Sequence, residues 1–208
     1  MRPKLIKPLV FIACLMPVAN MAFGGFRAQL GANPIEAITH ETGDWTMIMI
    51  MATLSITPLR RITRINELIS FRRMIGLFAF FYGTLHFLTY IWLDKFFDWH
   101  EIVKDVYKRP FITAGFTGFV LMIPLAVTST KGWIRRLGKK WVVLHRLIYV
   151  TAIAGVTHYI WLVKKDEAKP FMWAFILSLL LLWRIVDWTI KRRKSSATKL
   201  PAEPTLAS

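Results

Sequence analysis

Six apolar runs separated by short polar segments set the pattern of this chain: residues 9–23, 45–59, 74–93, 111–127, 141–163 and 171–190. None alternates with the period of two that a half-buried strand would show, so each reads as a helix. Crossing a hydrocarbon core takes about 20 residues. The third, fifth and sixth runs meet that length, whereas the first and second are short and must draw on flanking residues. The pattern predicts an all-α integral membrane protein, a bundle of about six transmembrane helices. It forms one membrane domain over residues 1–194, followed by a small, polar, Pro-containing stretch at 195–208 that reads as a disordered cytoplasmic tail. No internal repeat is visible. Residues 1–23 also carry the marks of a secretory signal, with Arg2, Lys4 and Lys7 ahead of an apolar stretch and small residues near Ala22. Cleavage there would leave five spans with the same orientation.

Charge fixes that orientation. The chain carries 28 Lys+Arg against 12 Asp+Glu, formally +16, with 55% hydrophobic residues. A charge of that size usually raises nucleic acid as a partner, but no basic face on a soluble fold and no interleaving of aromatic with basic residues is present. The basic residues instead segregate. The N-terminus, the segment with Arg60, Arg61, Arg64, Arg72 and Arg73, the stretch 131–140 and the C-terminal tail together hold 18 Lys+Arg, against Glu67 and Glu203. The alternate loops, 24–44, 94–110 and 164–169, hold eight against nine acids. Short loops rich in Lys and Arg stay on the cytoplasmic side, so both termini are expected there. Arg146, Arg184 and Asp187 fall inside spans near their cytoplasmic ends, where snorkelling or local pairing is expected. Trp and Tyr near span ends suit an interfacial belt. The lone Cys14 excludes an internal disulfide and any Cys-ligated zinc or iron–sulfur site, and reads as a small buried hydrophobe.

The histidines carry the candidate chemistry. His40 and His100 fall in external loops, whereas His86, His145 and His158 fall within spans three and five. An ionisable ring inside a membrane is a functional hypothesis by default, and neutral imidazole is an axial ligand of b-type haem. At 1.5 Å per residue His86 lies about 22 Å along its span and His158 about 26 Å along its own, while His145 is only about 6 Å in. His86 and His158 therefore share an outer level and could clamp one iron from opposite faces. His145 is left at an inner level, with no histidine opposite it on span three. The residue at that height is Arg72, suited to a haem propionate or a flavin phosphate and not to iron. On a straight helix His145 and His158 point about 140° apart. The residues thus support one haem, and a second only through His145. A transporter or scaffold that uses its histidines as proton relays or interhelix bonds is the non-redox alternative, and it would be colourless.

Beyond the histidines, the chain resembles the ferric-reductase-like transmembrane superfamily and, within it, the MsrQ family. The resemblance runs through Leu30-Gly31-Ala32-Asn33-Pro34, Ile56-Thr57-Pro58-Leu59, Arg72-Arg73, Leu85-His86, Arg109-Pro110, Thr128-Ser129-Thr130, Leu137-Gly138-Lys139, Leu144-His145 and His158-Tyr159. It implies a haem-binding subunit of the bacterial inner membrane that feeds electrons to the periplasmic molybdenum enzyme MsrP, which repairs methionine sulfoxide in proteins. The donor it implies is a cytoplasmic flavin reductase or a quinol. Such a chain is an electron-transfer subunit rather than a complete enzyme. Superfamily members carry two haems on two histidines from each of two helices; here His145 and His158 match one pair and His86 the outer ligand of the other, with Arg72 in place of the inner one. The resemblance also brings FMN, for which no Gly-rich phosphate loop is visible, with Arg72, Arg73, Lys139 and Lys140 on the cytoplasmic side to receive it. Direct reduction of ferric iron at the outer face would use the same haem with a different acceptor.

Overall fold

The computed structural model describes residues 3–163 and 168–197, and among them every regular element is helical. The helices are α1 (Pro3–Phe26), α2 (Pro34–Thr63), α3 (Arg72–Leu88), α4 (Trp99–Lys108), α5 (Pro110–Val127), α6 (Lys131–Leu137), α7 (Lys139–Leu144), α8 (Leu147–Leu162) and α9 (Ala168–Ala197). α9 runs three residues into the stretch expected as a tail. Residues 198–208 of that tail, and 164–167 of the last external loop, lie outside the described residues.

Five segments are long and apolar enough to cross a membrane: Leu5–Phe26, Arg72–Asp94, Pro110–Val127, Lys139–Leu162 and Ala168–Arg193. The second expected span, on α2, is not among them. The reason lies in where α2 sits. It is the central helix, with Met47, Met49, Ile50, Met51, Leu54 and Ile56 buried together with Thr42 and Thr53. A helix wrapped by other helices meets little lipid, so hydroxyls that bond back to their own backbone cost it little. Thr42, Thr46, Thr53 and Ser55 all do so, at 2.7–2.8 Å. Its composition is accordingly less apolar than that of a lipid-facing helix, although its 30 residues reach about 45 Å.

Contacts across the bundle fix the helix directions. At one end Asp44 near the start of α2 accepts from Tyr159 near the end of α8, and pairs with Lys169 at the start of α9. At the other end Arg61 of α2 pairs with Asp187 of α9. α2 and α9 therefore run parallel, with α8 antiparallel to both. Small residues set the close approaches. A Cβ on Gly118 of α5 would lie 3.5 Å from the Ala154 Cβ and 3.6 Å from the Thr151 carbonyl on α8, the packing that membrane helices use in the absence of a hydrophobic drive between them. α1 is tied in by Tyr82, fully buried on α3, whose hydroxyl donates to the Cys14 carbonyl at 2.7 Å. Cys14 itself is buried with a free thiol, packed as a hydrophobe.

α4 lies inside a segment expected as loop. Asp98 caps it by accepting from the Glu101 amide at 3.0 Å, a start signal of the Asp-x-x-Glu kind. It is held by an ion-pair cluster: buried Asp105 meets Lys95 at 2.9 Å and Arg109 at 3.1 Å, and Lys95 also meets Glu101 at 3.2 Å. The Lys95 hydrogen bond holds the Asp105 carboxyl below its ordinary range, and the Asp105 hydrogen bond raises Lys95 above its own. A lowered acid contributes stability that is present above its unfolded pKa and lost as pH falls through the folded value. A raised lysine contributes stability that is present below its unfolded pKa and lost as pH rises through the folded one. The cluster is thus at full strength between the carboxylate and lysine ranges and weakens on either side. Replacing Asp105 by Asn leaves Lys95, at 12% side-chain exposure, with only the half-exposed Glu101, and should cost about 1.5–3 kcal/mol of local stability at neutral pH. Hydrogen exchange over residues 95–109 should show faster opening of this segment and little further change toward acid pH; an unchanged exchange rate at neutral pH refutes the assignment.

Candidate functional site

Two intramembrane histidines meet at one end of the bundle. His86 projects from the last turn of α3 and His158 from α8, and their ring centres stand 6.1 Å apart with planes at 76°. A metal–imidazole bond of about 2 Å on each side, with each ring centre about 1 Å behind its nitrogen, calls for about 6 Å between two rings that share one ion.

Both rings are held the same way. His86 Nδ1 lies 3.0 Å from the Thr39 carbonyl of α2, and the Thr42 hydroxyl lies 3.5 Å from the same nitrogen. His158 Nδ1 lies 2.6 Å from the Phe111 carbonyl of α5. An Nδ1–H donated to a carbonyl fixes the tautomer in which Nε2 keeps its lone pair, the arrangement of metal-ligating histidines. Four residues after each accepting carbonyl stands a glycine. A Cβ on Gly43 would lie 3.2 Å from His86 Cε1, and one on Gly115 would lie 2.7 Å from His158 Nδ1. The missing side chains open the helix surface to each imidazole. Nothing in the hydropathy pattern marks these glycines; the spacings Thr39 to Gly43 and Phe111 to Gly115 are the signal that could have found them. Directly after His86 the chain loosens into a π-helical turn, Thr89–Asp94, a distortion frequent at functional sites. Phe111 flanks the site, its ring 6.2 Å from His158.

His145 lies at the opposite, basic end. Its residue and Arg146 form a turn between α7 and α8, so the two histidines do not stand on one fully regular helix. Its Nδ1 lies 3.1 Å from the Trp141 carbonyl, its ring stacks on Trp141 at 3.8 Å, and its buried Nε2 makes no well-formed hydrogen bond, although the Leu125 carbonyl also lies near the ring. Arg72 is in electrostatic reach of it. Arg73 is exposed, and the structure does not bring it to His145.

Sequence reasoning missed Arg184. Expected to snorkel or to pair locally, it pairs with no acid among the described residues: Asp187 is engaged by Arg61 and by Lys191 at 3.4 Å. Arg184 instead turns inward, with Nη2 3.1 Å from the Leu54 carbonyl and its guanidinium 4.9 Å over Tyr149. Its Nε is buried without a partner, and so are Thr57 Oγ1, Ser70 Oγ and Thr151 Oγ1 at the same end. Buried polar atoms are nearly always satisfied, and leaving one unpaired costs about 1–3 kcal/mol. Such a concentration beside two arginines and His145 fits a polar, anionic group held among them.

The comparisons with known proteins agree with one another. The family model described as "Ferric reductase like transmembrane component" matches residues 42–156, a stretch that includes His86 and His145 and stops two residues short of His158. A protein-methionine-sulfoxide reductase heme-binding subunit MsrQ of Herminiimonas arsenicoxydans is 54% identical over 93% of this chain and 90% of its own. Proteins of the same name from Caulobacter vibrioides and Azospira oryzae are 46% and 49% identical, over 93% and 88% of this chain and 92% and 79% of theirs. No solved structure matches.

Proposed function

This chain belongs to the ferric-reductase-like transmembrane family and, within it, to the MsrQ heme-binding subunits, and from that premise we propose that it carries electrons across the bacterial inner membrane to a periplasmic methionine sulfoxide reductase. The observation that carries this reading is the pair His86 and His158, 6.1 Å apart, each turned by an Nδ1 bond to a backbone carbonyl so that Nε2 is free. Bound between them, b-type haem would supply reversible one-electron chemistry, and two histidine ligands suit transfer more than oxygen binding. The surrounding residues set orientation and exclude water: Thr39 and Phe111 hold the rings, Gly43 and Gly115 let them approach, and Phe111 lines the site. With the basic end in the cytoplasm this pair lies near the periplasmic surface, where the molybdenum subunit MsrP is the acceptor.

His145, Arg72 and Arg184 form the inner level in this reading. The His145 imidazole would ligate a second haem or face FMN, and the two guanidinium groups would hold a propionate or phosphate. Arg73, Lys139 and Lys140 stand exposed on the cytoplasmic side of that level, toward the donor, a flavin reductase or a quinol. Two measurements test this. Chemically reduced protein in lipid nanodiscs, mixed with MsrP and methionine sulfoxide, should be reoxidised in proportion to the sulfoxide reduced; reoxidation no faster than without MsrP would refute the function. Arg184→Leu should keep the haem spectrum of the outer pair and lose any second cofactor, read as flavin and haem per chain. Equal second-cofactor content in the variant would remove Arg184 from the inner site.

A further inference from the structure

Outside the candidate spans, the apolar edge of α4 is left uncovered. Ten residues are too few to cross a bilayer, and His100, Glu101, Lys104 and Lys108 make the helix too polar to be buried. Yet Trp99, Val103 and Tyr107 are 62%, 68% and 90% exposed. At 100° per residue these three fall within about 80° of one another on the helix. The protein covers a different edge: Ile102 and Asp105 are buried, and Thr113 of α5 donates to the Val106 carbonyl. His100, Lys104 and Lys108 occupy the remaining arc. α4 therefore has three edges, one against the bundle, one apolar and open, and one charged.

We propose that α4 is seated in the headgroup–acyl boundary of the leaflet at the His86/His158 end, with the lipid surface as the partner of its Trp99, Val103 and Tyr107 edge. Three observations favour lipid over a protein partner. α4 joins the candidate span that ends at Asp94 to the one that begins at Pro110, so both its ends are held at the membrane boundary. Its apolar edge continues the exposed Leu88 and Trp92 of the preceding span and the exposed Phe96 and Phe97 of the turn between. The aromatics on that edge are Trp and Tyr, the residues that favour the interface, and the charged arc carries lysines able to reach headgroup phosphates, as in amphipathic helices that lie in the membrane plane. In this placement the Lys95–Asp105 cluster anchors the helix to the bundle. The membrane holds the other edge, and the charged arc alone faces water. The inference needs only the membrane fold and is independent of the electron-transfer reading.

Spin labels test it in the full haem-loaded chain in nanodiscs of phosphatidylethanolamine and phosphatidylglycerol. Val103→Cys and Tyr107→Cys are labelled on the apolar edge, and His100→Cys and Lys104→Cys on the charged arc. Unsubstituted protein serves as the blank for the buried Cys14, and all four positions are at the surface, so haem content should match the parent. Labels at 103 and 107 should collide with molecular oxygen several-fold more, and with a water-soluble nickel chelate several-fold less, than those at 100 and 104. Equal access of the nickel chelate to all four would show an edge left in water and overturn the proposal. Shielding of 103 and 107 from both reagents would show a protein contact and overturn it equally.

Discussion

His86→Ala or His158→Ala is expected to abolish the low-spin haem spectrum of the purified protein. Each imidazole would be one of two axial ligands to a single iron, and His145, the other histidine within a span, lies at the opposite end of the bundle. Loss of supporting hydrogen bonds around a metal ligand typically costs about 10–100-fold in affinity, and loss of the ligand itself should cost at least the upper figure. The bundle should survive, because the rings rest against carbonyls at its edge while the core is built from Ile50, Leu54, Ala79, Tyr82 and Ala152. Absorbance of the reduced protein reads the haem, and circular dichroism reads the helices. Full haem content with unchanged bands in both variants would refute the paired-ligand site, and with it the function proposed above.

Gly115→Ala should come close to that result without touching a ligand. The added Cβ would stand 2.7 Å from His158 Nδ1 and about as near two further ring atoms, at 3.0 and 3.1 Å. Contacts that short force a shift. The ring cannot retreat while it holds the Phe111 carbonyl at 2.6 Å, and α5 and α8 cannot part freely, because Gly118 packs on Ala154 a turn away. Overpacking of this kind costs about 1–3 kcal/mol. Misplacing a supported ligand costs about 10–100-fold in metal affinity. Gly43→Ala presses on His86 less closely, from 3.2 Å, and should cost less. Gly132→Ala meets nothing nearer than the Thr130 hydroxyl at 4.0 Å and should leave the haem unchanged. Haem retention in titrations with competing apoprotein should follow the order Gly132, Gly43, Gly115, from most to least. Wild-type retention in Gly115→Ala would mean that His158 is not held in this geometry when haem is bound.

Much of this was written in the chain's linear pattern. Apolar runs of near-membrane length give the helices, and a rise of 1.5 Å per residue is enough to place His86 and His158 at one height and His145 at another. Such arguments succeed because helix rise and hydrophobic thickness are nearly constant. They fail where a helix departs from regularity or meets another. The turn at His145 and Arg146, which separates α7 from α8, is one such departure and left no mark on the hydropathy pattern. α4 escaped notice because a short amphipathic helix has no apolar run, although Asp98 and Glu101 marked its start. α2 lacks the composition of a lipid-facing span because its neighbours are protein.

The sequence by itself determined an all-helical membrane protein, its basic and acidic ends, and the three intramembrane histidines sorted by depth. Tertiary structure alone decided how those histidines are held, which glycines make room for them, and that Arg184 turns inward to the Leu54 carbonyl while Asp187 goes to Arg61. Depth and hydropathy are sums along one helix and can be read from its residues. Which carbonyl a ring meets, and which Cβ must be missing, depend on how two helices are rotated and spaced against each other, and that is fixed only when the bundle packs.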